Sequence, residues 1–178
     1  MLFGRITFQT VCLAAAIAAI AVSPGALCLE AVAPTNPYLG PHVRGVTAEM
    51  NKVIEQGTRR SPTFRSLVEA LNRSDVIVYL ESTKNLPLSL DGRLVFLTSA
   101  GGVRYLHVQV AKGLGFNELI AIAGHELQHA VEVATHAEVH DSASLAVLYE
   151  RIGIREVHNR YDTPAAQLAG KRVRAELS

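Results

Sequence analysis

Cysteine is nearly missing from this chain. The two it has, Cys12 and Cys28, both lie in the first 28 residues. The chain downstream therefore has no thiol to serve as nucleophile, metal ligand or disulfide partner, and must be held by its core and by any metal it binds. Charge of one sign is also missing. The 17 Lys and Arg stand against 16 Asp and Glu, for a formal net charge of +1. That balance builds no field for nucleic acid or for an anionic membrane surface. There is no low-complexity tract and no internal repeat, which sets disordered and solenoid architectures aside. The one notable apolar run, Val11 to Val22, is too short and too rich in alanine for a bilayer span.

That run instead reads as the core of a secretory signal over residues 1–28. Arg5 gives the positive start, Ser23-Pro24-Gly25 breaks the run, and Ala26-Leu27-Cys28 offers small residues for cleavage. The expectation is an exported protein, periplasmic or secreted, with no stable membrane span once the signal is removed; retention as an N-terminal anchor is the alternative. Residues 29–45, with Pro34, Pro37, Gly40 and Pro41, read as a linker. His42 within it reads as a solvated loop residue. Residues 46–178 are enough for one domain with a real core.

Within that domain, Thr47 to Gln56 reads as a helix ended by Gly57, and Ser61-Pro62 opens a second helix with Phe64, Leu67, Val68 and Leu71 as its stripe. Arg59-Arg60 reads as a solvated turn. Val76 to Leu80, Leu94 to Thr98 and Arg104 to Val110 read as strands, the last two joined by a turn at Ser99-Ala100-Gly101-Gly102. In the third strand Leu106, Val108 and Val110 alternate with Tyr105, His107 and Gln109, as on an antiparallel sheet with one open face. His107 reads as solvated on that face, with a place in a cleft as the alternative. Asp141 or Ser142 caps a later helix carrying Leu145, Leu148, Tyr149 and Ile152. Thr163-Pro164 opens the last one, in which Gly170 allows close approach to a neighbour. The fold class is α+β: helices with a small antiparallel sheet, and a long helix directly after a β-hairpin.

That long helix, Asn117 to Ala134, carries the chemistry. Asn117 is its expected N-cap. Leu119, Ile120, Ala123, Leu127, Ala130 and Val131 gather on one side, and Glu118, His125, His129 and Glu132 on the other. His125-Glu126-Leu127-Gln128-His129 puts two imidazoles one turn apart on one face, where they can share one Zn²⁺. Glu126 flanks the pair, in reach of a water activated by the metal. The rival reading is an ordinary amphipathic helix with a polar outer face. The run Leu119 to Gly124 is apolar almost all round, however, so the pair is expected to line an internal cleft, where buried imidazoles need partners.

The order of elements and the segment Gly124 to Ala130 resemble the zincin metallopeptidases, closest to the compact gluzincin type. The resemblance covers roughly Asp75 to the C-terminus in layout, and its specific core is His125 to Ala130. It implies that His125 and His129 bind zinc, that Glu126 is the general base in peptide-bond hydrolysis, and that a strand beside the helix pairs with peptide substrate. By order that strand would be Arg104 to Val110. The metzincin pattern does not fit, since Glu132 and Thr135 stand where its glycine and third histidine would be. Gluzincins take an acid from a later helix. Asp162 is the preferred third ligand, because Asp162-Thr163-Pro164-Ala165 is similar to the Glu/Asp-x-x-Ala of compact members; its alternative role is a plain helix cap. Glu150 is the second candidate. Glu132, on the same helix as the histidines, is better suited to supporting one of them from behind. Tyr161 and His158 are candidates for stabilising the oxyanion. The functional alternatives are a non-catalytic exported cell-envelope domain with a structural or vestigial metal site, and a zinc amidase acting on cell-wall peptide.

Overall fold

A computed structural model of the chain describes residues 40–87, 89–155 and 161–178. The segment read as a signal, most of the linker, and His158 lie outside the described residues. Those described fall within one compact unit, Val32–Ser178. The class is α+β, with five helices and a small mixed sheet among the described residues.

The chain enters the fold earlier than the linker reading allows. Val43–Gly45 is strand β1, paired in parallel with β2, Val76–Thr83. His42 is buried rather than solvated. Its Nδ1 lies 3.0 Å from Val76 O, and its backbone N–H donates to Asn72 Oδ1 at 2.9 Å. Helix α1, Ala48–Arg60, is capped by Thr47 as expected but runs straight through Gly57. The Phe64 ring lies where a Cβ would be, 2.9 Å away, so this glycine makes room for a neighbour and does not stop the helix. Arg60 is not a solvated turn residue: it donates to Asn117 Oδ1 and to Leu177 O. Ser61 caps helix α2, Pro62–Asn72, by accepting from Phe64 N–H at 3.0 Å.

Strands β3, Gly92–Ala100, and β4, Val103–Ala111, form the expected hairpin. Gly101 and Gly102 both have positive φ, +60° and +76°, as a type I′ turn requires. The sheet order is β1-β2-β4-β3. Strand β4 is parallel to β2 and antiparallel to β3, so the sheet is mixed, not antiparallel. Alternation along β4 reports one buried and one open face and carries no information on a neighbour's direction. The alternation itself holds: Leu106, Val108 and Val110 are fully buried. His107 lies on the opposite face, only partly exposed, with Nε2 3.0 Å from Glu81 Oε2.

Helix α3, Phe116–Ala134, follows the hairpin and packs Leu119, Ile120, Ala123, Leu127 and Ala130 into the core with the sheet. Its N-cap is Gly115. Asn117 sits inside the first turn and donates to Leu177 O at 3.2 Å. The other end of α3 is tied down by buried Arg104, which donates to the carbonyls of Val133 (2.8 Å), His136 (2.7 Å) and Val139 (3.1 Å). The same guanidinium grips both carboxylate oxygens of Asp75, at 2.8 and 2.6 Å. One side chain thus binds carbonyls of the last turn of α3 and of the segment that follows it, and fixes them to the start of the sheet.

Helix α4 is Ser142–Ile152, opened by a capping box at Asp141. Helix α5, Pro164–Glu176, is capped by Thr163. Two glycines let α5 close on α3. A Cβ at Gly124 would stand 2.9 Å from Val173 Cγ2, and one at Gly170 would stand 3.2 Å from His125 Cβ. The short ladder β5, Ile154–Arg155, with β6, Tyr161–Asp162, leads into α5. No helix among the described residues is long and apolar enough to cross a membrane.

Candidate metal centre

The close packing of α5 on α3 delivers Asp162 to the histidine pair. Thr163, not Asp162, is the N-cap of α5, which leaves the Asp162 carboxylate free to turn inward. Its Oδ1 lies 3.3 Å from His125 Nε2 and 3.4 Å from His129 Nε2. The two rings are 5.0 Å apart and nearly perpendicular, at 79°. One ligand atom from each of the three residues lies within 4.8 Å of the others, so together they could hold a metal ion. A tetrahedral ion with bonds of about 2.0–2.1 Å keeps its donors about 3.3–3.4 Å apart. The two measured separations fall at that spacing.

The groups behind the three ligands are equally specific. His129 Nδ1 is 2.9 Å from Glu132 Oε2, which leaves Nε2 to face Asp162. Glu132 Oε1 in turn accepts from Thr163 Oγ1 at 2.5 Å. The same hydroxyl accepts from Ala166 N–H at 3.1 Å, so the cap of α5 and the orientation of His129 share one atom. Asp162 is held by Thr163 N–H (2.7 Å) on Oδ1 and by Gln167 Nε2 (3.0 Å) on Oδ2. Tyr149 donates to His129 O at 3.1 Å, and its ring packs edge-on against that imidazole at 5.2 Å.

These contacts set the local protonation. Burial opposes a charge on His129, but the carboxylates of Asp162 and Glu132 outweigh it and push the pKa up to about 9. Partial burial would raise Asp162; hydrogen bonds from His125 and His129 more than offset it and hold the carboxyl well below the usual range. Glu126 is buried, and desolvation pushes its pKa up against the pull of the two imidazoles. Burial also pushes the Tyr149 hydroxyl up, so it stays protonated and able to donate.

A cleft of about 530 Å³ opens on this cluster, walled by Gly92 and Leu94 from β3, by Leu145 and Ala146 from α4, and by Tyr161. Glu126 lines it beside His125 and His129. Glycine at the entry to β3 leaves room for the Glu126 carboxylate, since a Cβ on Gly92 would stand 2.6 Å from Glu126 Oε1 and 2.8 Å from Ile122 Cγ2. Among the described residues, the strand with an unpaired edge on this side is β3. Strand β4, expected from chain order to receive it, has both backbone edges taken, by β2 and β3.

Of the residues singled out from sequence, His125, His129, Glu126 and Asp162 come together, with Glu132 behind His129. Glu150 is exposed on α4 and is not one of the three clustered ligands. Sequence reasoning missed Gly92, Gln167 and the site role of Tyr149, and read Thr163 only as a helix opener. Gly92 had a legible signal, a glycine just ahead of an apolar strand; the other roles depend on how α4 and α5 cross α3. No family model matches the chain, and no curated protein or solved structure does.

Proposed function

We propose that this chain is a zinc-dependent metallopeptidase, zincin-like and closest in kind to compact gluzincins, that works after export. The observation that carries the reading is the position of Asp162 Oδ1, 3.3 and 3.4 Å from the Nε2 atoms of two histidines spaced one helical turn apart. Two imidazoles and a carboxylate suit zinc, and three protein ligands facing a cleft fit a catalytic rather than a closed structural site. A bound zinc ion would supply a Lewis acid for the scissile carbonyl and lower the pKa of a coordinated water toward about 7.

The chain's own residues do the rest. Glu126 takes a proton from the attacking water and passes it to the leaving amine; burial strengthens its carboxylate as a base. Tyr161, on the cleft wall, supplies a hydroxyl toward the developing oxyanion. Glu132 and Thr163 hold His129 in the orientation and tautomer that present Nε2. The free edge of β3, starting beside Glu126, pairs with an extended peptide. The N-terminal signal pattern supports export. A structural or vestigial metal in a non-catalytic envelope domain is the reading this replaces, and an amidase acting on cell-wall peptide would use the same groups on a related bond.

The test is metal content and hydrolysis on purified protein. Wild type holds one zinc per chain, His129→Ala loses it, and Glu126→Gln keeps it while hydrolysis falls by about 10²–10⁴-fold, the contribution of a positioned general base. Negligible zinc in both wild type and His129→Ala would end the proposal.

A further inference from the structure

Strand β3 leaves the reacting centre in one direction only. Gly92 stands against Glu126, and the strand then runs past Leu94 toward Ala100. Just before Gly92 the chain turns back on itself, with Leu90 N–H donating to Pro87 O at 2.9 Å. An extended chain laid on the β3 edge therefore has a strand to pair with on one side of Glu126, and on the other meets the cleft wall at Ser89 to Asp91.

That other side holds a recess of about 180 Å³ between α3 and α5. Ile122 and His125 line both this recess and the main cleft, so the two spaces meet at a ligand imidazole. Its ends are bridged. Arg174 pairs with Glu118 at one, and Gln167 donates to Asp162 at the other. At about 180 Å³ the space has room for about one residue. Its charge selects which residue that is. Arg174 is committed to Glu118, whereas Lys171, on the recess wall, is exposed and makes no ion pair among the described residues.

Building on the metallopeptidase reading, we propose that the substrates are peptides cut next to their C-terminus, and that Lys171 receives the free α-carboxylate. Antiparallel pairing with β3 places the residues before the scissile bond along the strand, and carries the residue after it past Gly92 into the recess. Water adds across the C–N bond. Its oxygen joins the acyl carbon, its proton reaches the departing amine through Glu126, and the released amino acid leaves with its original carboxylate.

The experiment uses zinc-loaded protein and pairs of peptides of identical sequence, one ending in a free carboxylate and one in an amide, with products identified by mass. Removal of the last residue is expected, with kcat/KM about tenfold higher for the free acid, as one hydrogen bond between charged groups gives. Lys171→Met should bring the ratio of free acid to amide near one with zinc content unchanged, and Lys171→Arg should restore it. Equal hydrolysis of acid and amide by wild type, or internal cleavage alone, overturns this inference and leaves the peptidase reading standing. Absence of hydrolysis in zinc-loaded protein overturns both.

Discussion

At the scale of single residues, His129 carries the clearest pH signature. With no metal bound, its pKa of about 9 stands above the ordinary histidine value of 6.5. A raised folded-state pKa contributes stability in full below the unfolded value, and loses it as pH climbs through the folded one. The metal-free protein should therefore become less stable between pH 6.5 and about 9. Thermal melts in a chelator across that range check this, and a flat profile would contradict it. Zinc binding near neutral pH should also release a proton from this ring, which a weakly buffered indicator reads directly. Gly92 is the second decisive residue. Gly92→Ala puts a methyl 2.6 Å from Glu126 Oε1, so hydrolysis should fall more than about tenfold with bound zinc unchanged. Activity equal to wild type would show that Glu126 has room to spare. Glycine at this place was visible in the sequence, but its reason was not, because the carboxylate it accommodates comes from 34 positions later on another element.

At the scale of elements, α3 was legible and α5 was half legible. The apolar periodicity around His125 and His129 marked both the helix and its buried setting, since burial of nearly every residue from Leu119 to Gly124 follows from a run that is apolar all round. The start of α5 was equally plain from Thr163-Pro164. Which residue capped it decided the site, and there the residue pattern left Asp162 open between cap and ligand. Thr163 takes the cap, and Asp162 is released. The sheet was misjudged in direction because alternation is blind to it. Arg104 was read only as the first residue of a strand, yet it joins the end of α3 and the segment after it to the sheet through four carbonyls, those of Val133, Ala134, His136 and Val139, and through Asp75. Arg104→Met would remove the donor to the Val139 and Ala134 carbonyls and to the Asp75 carboxylate, while Val133 O and His136 O keep the backbone N–H groups of His136 and Val139; each buried acceptor left unpaired costs about 1–3 kcal/mol. We expect a loss of about 3 kcal/mol in denaturant unfolding, with the effect confined to stability once the protein is folded and loaded. A loss below about 0.5 kcal/mol would mean that water replaces the guanidinium.

At the scale of the whole molecule, a metal would join α3 to the entry of α5, two elements that already meet through close glycine packing, shared apolar core, hydrogen bonds and the Arg174–Glu118 ion pair. An ion bound by the folded state alone stabilises by about 4.1 kcal/mol at a thousand times its dissociation constant. For a domain of this size that raises the melting temperature by on the order of 10 °C. Calorimetry with zinc and with chelator reads it, and superimposable melts would contradict it. The absence of cysteine after residue 28 gives this coupling its weight, because no disulfide can take its place.

The most direct test of the central claim is X-ray absorption at the zinc edge on wild type and Asp162→Ala. Wild type should show two imidazole nitrogens and one carboxylate oxygen at about 2.0–2.1 Å from the ion, with water completing the shell, and Asp162→Ala should lose the carboxylate and bind zinc more weakly. Protein that takes up no zinc, or a coordination shell that Asp162→Ala leaves unchanged, would contradict it.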